Sequence, residues 1–150
     1  MALDLAAVRS YPSVDADDGS VAVFAPRRGV SHVLFDFDGT LSLIREGWRE
    51  VMIPLMVELL LQTPRHESET ELRAVVADFV DRLTGRQTIY QMIQLCEEIQ
   101  RRGGNAADPL VYKKMYLARL WTRIEYRVAA LQAGTVAPDD PMVPGAAVML

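Results

Sequence analysis

Apolar and polar positions divide this chain into a short β-like head and a long helical remainder. Val33-Leu34-Phe35 is an apolar, β-prone run that stops at Asp36-Phe37-Asp38-Gly39, so it predicts a buried strand carrying two acids at its C-terminal tip. From residue 46 the period changes to that of a helix. Glu46 to Gln62 places Trp48, Val51, Met52, Leu55, Met56, Leu59 and Leu60 on a helical stripe, with Pro54 either kinking that helix or starting a second. Thr63-Pro64 ends it. Ser68 with Glu71 three residues on reads as a capping box, followed by an apolar face of Leu72, Val75, Val76, Phe79, Val80 and Leu83 that closes at Gly85. Thr88 to Arg102 forms a third helix, with Ile89, Met92, Ile93, Cys96 and Ile99 on one side and Gly103-Gly104 as its stop. Asp108-Pro109 opens a fourth, running from Leu110 towards Ala133 and Gly134.

The two ends read differently from the middle. Residues 1–30 form a leader in which Asp15-Ala16-Asp17-Asp18-Gly19 signals a turn, Val21-Ala22-Val23-Phe24 a short strand and Pro26-Arg27-Arg28-Gly29 a break, so a small hairpin is one reading and a loose leader the other. Asp17 and Asp18 are read as solvated turn residues. Residues 135–150 are rich in proline and read as a return linker, with Pro144-Gly145 opening a further helix.

Composition narrows the function classes. Half of the 150 residues are apolar, enough for one domain's core, and a net charge of -4 with scattered arginines gives no basic footprint for nucleic acid. Cys96 is the single cysteine, so it forms no internal disulfide and suits a reducing, cytoplasmic compartment. The most apolar stretch, Val51 to Leu61, is interrupted by Pro54 and Glu58 and falls short of the ~20 residues that span a bilayer. No membrane partner is expected. His32 and His66 have no ligand company and are given no chemistry.

The candidate chemistry sits at Asp36 and Asp38. Gly39 allows the backbone to curl as the strand breaks, bringing both carboxylates to one mouth, where one can attack and the other can move protons. A carboxylate attacking phosphorus needs a hard cation to neutralise charge, and oxygen ligands from such a turn suit Mg²⁺. The other reading of these residues is an acidic turn that closes an ordinary strand.

Asp36-Phe37-Asp38-Gly39-Thr40-Leu41 resembles the first motif of the haloacid dehalogenase (HAD) superfamily, in its aspartate-nucleophile phosphatase branch. The resemblance implies an α/β fold with a Rossmann-like core, of which this chain holds the first strand and catalytic loop (31–45), and a helical C1 cap bundle inserted at 46–134. It implies that Asp36 becomes a phosphoaspartate and that Asp38 protonates the leaving oxygen and then activates water. Mg²⁺ would rest on Asp36 and on the backbone carbonyl of Asp38, Phe37 and Gly39 would lend backbone near the phosphate, and Thr40 would brace the turn. The family's later motifs supply a Ser or Thr, a Lys or Arg and a further acid. None has a counterpart here at a matching position, since Lys113 and Lys114 fall in the fourth helix and Asp139-Asp140 lies between prolines. The chain is accordingly expected to be the N-terminal portion of a longer phosphohydrolase, weakly active or inactive alone, with uncovered apolar surface favouring self-association or docking of a missing core half.

A cap of this kind excludes water and selects the substrate, here a small phosphorylated metabolite of phosphoglycolate or sugar-phosphate type. Its candidate specificity residues are Arg45, Trp48 and Arg49 near the hinge and Arg86, Gln87, Thr88 and Tyr90 around the Gly85 turn. Tyr112, Tyr116, Trp121 and Tyr126 are read as core or interface residues. Phosphomutase activity is a lesser version of the same chemistry. A non-catalytic helical binding module is the alternative class, and a nucleotide-sugar transferase using D-x-D is a distant third.

Overall fold

The computed structural model describes residues 12–14, 21–23 and 31–149, and the chain divides into two units at Phe35 and Asp36. In the first unit, strands β1 (Pro12–Val14) and β2 (Val21–Val23) pair antiparallel in the register Pro12 to Val23 and Val14 to Val21. The acidic turn expected at 15–19 lies outside the described residues.

The expected α/β core is not what the structure contains. Residues 31–36 have no regular secondary structure, Leu34 is 98% exposed, and no parallel sheet occurs among the described residues. A lone apolar run has no ladder partner for its N–H and C=O groups and no layer to bury its faces, so local β propensity does not make a strand of it. The second unit is helical, and the Rossmann-like assignment is corrected to an all-helical bundle carrying the motif as an irregular turn.

That bundle is built from α1 (Arg49–Leu60), α2 (Glu69–Arg82), α3 (Thr88–Arg101) and α4 (Pro109–Gln132), with a short α5 (Ala146–Met149) following. α1 contacts each of the other three long helices, which matches its nearly continuous apolar sequence. Met52, Leu55, Met56 and Leu60 of α1 are fully buried with Leu72, Val76 and Phe79 of α2, Met92 and Leu95 of α3, and Leu120 of α4. Pro54 lies inside α1 without ending it.

Local chemistry fixes the helix ends. Ser68 and Glu71 form the reciprocal capping box, in which the Ser68 N–H donates to Glu71 Oε2 at 3.0 Å and Ser68 Oγ accepts from the Glu71 N–H at 3.4 Å. Asp108 caps α4 by accepting from the Leu110 N–H at 2.7 Å, with Pro109 in the first turn where its missing donor costs nothing. At the end of α3, the buried Arg102 donates to the half-exposed Glu67 and the buried Glu98 at 2.6 Å each, ion pairs that tie the α1–α2 connection to α3, with Arg101 also reaching Glu98 at 3.0 Å. Gly104 follows because a Cβ there would come within 2.8 Å of Ile99 Cγ2 and 3.1 Å of the Ile99 carbonyl.

Two contacts fasten the motif turn to the bundle. The Leu43 N–H donates to Pro141 O at 2.6 Å and the Val143 N–H to Leu41 O at 3.0 Å, an antiparallel pairing around Ser42 and Met142. Arg127 of α4 donates to the carbonyls of Ile44 and Glu46 at 3.0 and 2.9 Å. Among the described residues no helix is long and apolar enough to cross a membrane.

Candidate functional site

Asp36 to Ser42 folds into a compact turn in which Phe37 O accepts from the N–H groups of Leu41 and Ser42 at 3.0 and 2.9 Å, and the Gly39 N–H donates to Ser42 O at 2.8 Å. Gly39 sits at φ 78°, where a Cβ would strain the backbone. The remaining backbone donor of interest, the Phe37 N–H, donates to Asp36 Oδ1 at 2.8 Å. Thr40 makes no side-chain hydrogen bond among the described residues; Ser42 braces this region instead, its Oγ accepting from the Ile44 N–H at 3.2 Å.

Asp36 and Asp38 open into one cavity of about 310 Å³. Its walls come from three places distant in sequence: Arg45, Trp48 and Met52 before and within α1, Thr84, Gly85, Arg86, Thr88 and Gln91 at the α2–α3 junction, and Tyr116 from α4. Gly85 at φ 83° makes the sharp reversal that leads to Arg86 and the start of α3 at one side of this cavity. Arg45 Nη1 donates to Asp38 Oδ2 at 2.9 Å, and both side chains are about half exposed.

Four of the cap candidates, Arg45, Trp48, Arg86 and Thr88, therefore share a cavity with the two acids. The others lie outside its lining: Arg49 pairs with Asp81 at 2.6 Å, Gln87 is the residue before α3, and Tyr90 is exposed. Phe37 is exposed, and Gly39 and Thr40 shape the turn without lining the cavity. Trp121 and Tyr126 are exposed on α4, whereas Tyr112 and Tyr116 are buried.

Thr84, Gln91, Met52 and Tyr116 were not marked by sequence pattern as site residues: Met52 falls on the apolar stripe of α1 and Tyr116 reads as a core or interface residue, while Thr84 and Gln91 are polar residues that no pattern singles out. Tyr116 is the most informative of them. It is only 4% exposed, and burial pushes its phenol up to about 12, with the Asp38 charge adding to the rise and Arg45 opposing it. It thus stays neutral, a donor beside two charged groups.

For a hard divalent cation, the donor chemistry fits in kind. Asp36 offers a carboxylate, and the Asp38 carbonyl accepts no backbone hydrogen bond among the described residues. Two protein oxygens are a usual protein share for Mg²⁺, which keeps several waters and binds substrate phosphate directly. Among the described residues no group of three or more His, Cys, Asp or Glu side chains gathers to hold a metal without such help.

Comparison with protein-family models, curated proteins and solved structures gives no match.

Proposed function

We propose that the Asp36–Asp38 turn is the phosphoryl-transfer site of a Mg²⁺-dependent phosphohydrolase acting on a small phosphorylated metabolite. The observation that carries this reading is the convergence of both motif carboxylates with Arg45, Arg86 and the start of α3 on a single cavity.

In the proposed reaction, an Asp36 carboxylate oxygen attacks phosphorus and the bond from phosphorus to the ester oxygen breaks. Asp38, which takes up a proton from solvent when Arg45 leaves it, gives that proton to the departing oxygen. It then takes a proton from water, whose oxygen attacks phosphorus and releases inorganic phosphate from Asp36. As Asp36 turns to phosphorus it releases the Phe37 N–H, which becomes available to a phosphate oxygen. Arg45 leaves Asp38 for the incoming phosphate, a small loss because half-exposed pairs are worth only ~0–1 kcal/mol. A divalent cation held by the Asp36 carboxylate and the Asp38 carbonyl would neutralise charge between nucleophile and phosphate. The cavity supplies arginines and threonine hydroxyls but no lysine and no third acid, and each missing charge-stabilising group costs ~3 kcal/mol in the transition state. Turnover by this chain is therefore expected to be slow. The lone cysteine suits a cytoplasmic setting.

Beryllofluoride mimics a phosphoryl group on aspartate, so ¹⁹F NMR with Mg²⁺ tests the nucleophile without needing turnover. The expected result is a bound fluoride signal in the parent chain that Asp36→Asn abolishes. A signal indifferent to Asp36, or none in the parent, overturns the proposal and favours a non-catalytic helical binding module. The specific observation on that module's side is the Arg45–Asp38 pair, which occupies the carboxylate the chemistry needs.

A further inference from the structure

α4 has two sides that differ in kind. Tyr112, Tyr116, Leu120 and Ile124 turn into the bundle and are buried. The opposite side leaves large apolar groups in solvent, with Val111 46% and Trp121 53% exposed. Along that outward side Val111, Lys114, Ala118, Trp121, Glu125 and Val128 follow one another at alternating spacings of three and four residues, a continuous helical stripe. The charges of α4 divide in the same way. Arg119 reaches Glu58 at 2.7 Å and Arg123 reaches Glu50 at 4.0 Å, both on α1, and Arg127 donates to the carbonyls of Ile44 and Glu46. Lys114 and Glu125, exposed within the outward stripe, make no ion pair and no side-chain hydrogen bond among the described residues. They stand ~16 Å apart along the helix, too far to pair within one chain.

We infer that this stripe is the interface of a symmetric dimer, in which α4 packs antiparallel against α4 of a second copy of this chain, about a two-fold axis at the level between Arg119 and Leu120. Such a contact must be complementary to itself, and this stripe is. The two-fold sets Lys114 opposite Glu125 of the second copy, Ala118 opposite its Trp121 and Val111 opposite its Val128, and each pairing occurs twice. Opposite charges meet, the bulkiest side chain of the stripe meets the smallest, and branched apolar groups meet each other. A parallel copy would instead set Lys114 against Lys114 and Trp121 against Trp121. The spacing is that of a coiled-coil seam, in which charged residues at single positions fix orientation at a cost in affinity. A helix pair ~36 Å long gives an interface near the ~1,200 Å² lower bound of stable complexes, so the dimer forms in the micromolar range. Tyr116 lies on the other side of α4, so the dimer leaves the cavity of Asp36 and Asp38 open, and the inference is independent of the chemistry proposed there.

Sedimentation velocity of the full chain across ~1–300 μM tests the assignment, with a monomer–dimer equilibrium as the expected result. Lys114→Glu and Glu125→Lys each place two like-charge contacts in the dimer, and each should weaken it ~10-fold or more. Mixing the two variants in equal amounts should return the affinity to within ~3-fold of the parent, because every charged contact across the mixed dimer then joins opposite signs. Trp121→Ala should also weaken the dimer ~10-fold or more, as the loss of a central aromatic anchor does. These positions are exposed, so circular dichroism should show the helical content and melting temperature of the parent in each variant. A parent chain that stays monomeric over this range overturns the inference. So does association that either charge reversal leaves unchanged, or that mixing the two variants does not restore, since the contact then lies on another surface.

Discussion

At the scale of single residues, the carboxylates divide by what they face. Asp38 is held by Arg45 in a half-exposed pair that a phosphate can displace, so its contact is exchangeable. Glu67 differs, because its partner Arg102 is buried and cannot leave without stranding Glu98. The Arg102 guanidinium holds Glu67 below the usual carboxylate value of 4.5, Arg119 does the same for Glu58, and hydrogen bonds from Ser68 do so for Glu71. All three favour the ionised form in the folded state, so their contribution is present above 4.5 and is lost as pH falls through the lowered folded values. Thermal unfolding followed by circular dichroism should therefore show stability nearly flat from pH 7 to 5 and declining below 4.5. Replacing Glu58 and Glu67 by Gln should flatten that decline. Cys96 is buried and its thiol is pushed upward by that burial, which matches the packing role its helical position assigns.

At the scale of elements, the α1–α2 junction depends on side-chain chemistry at one residue. Ser68→Ala removes the hydroxyl half of the capping box at α2 and should cost ~1 kcal/mol. That corresponds to a fall of ~3 °C in melting temperature for a domain of this size, measurable by calorimetry. α3 lacks a side-chain cap at Gln87, so its first turn keeps unpaired N–H groups where Arg86 and Thr88 border the cavity. The starts of α2 and α4 and the stops of α2 and α3 were legible in the sequence because their signals are local: Ser68 with Glu71, Asp108-Pro109, Gly85 and Gly103-Gly104 act within about one turn of the helix ends they mark, whereas α1, read from Glu46, begins at Arg49 without a side-chain cap. Pro54 was not decidable in that way. A proline inside an apolar stripe either breaks or bends the helix according to how well the rest of α1 is packed, and here burial on three neighbouring helices keeps α1 continuous.

At the scale of the whole molecule, the helical unit is held by one apolar core and locked at one end by the Glu67–Arg102–Glu98 cluster. Arg102→Ala leaves the Glu98 carboxylate, 4% exposed, without its main partner and should destabilise the fold by ~3–5 kcal/mol in urea unfolding. Arg102→Met with Glu98→Leu should recover most of that loss, because two apolar residues of similar size need no counter-charge. The sequence by itself determined the helical periodicity, the caps and the tight turn at Asp36-Phe37-Asp38-Gly39, since each depends on neighbours within about four residues. Only the tertiary structure decided that Val33-Leu34-Phe35 forms no strand, because a strand exists through partners elsewhere in the chain and none pairs with it among the described residues. It likewise decided which packing residues become site residues. Tyr116 and Gln91 lie on the buried stripes of α4 and α3, and they differ from their neighbours only because those stripes end at the cavity holding Asp36 and Asp38.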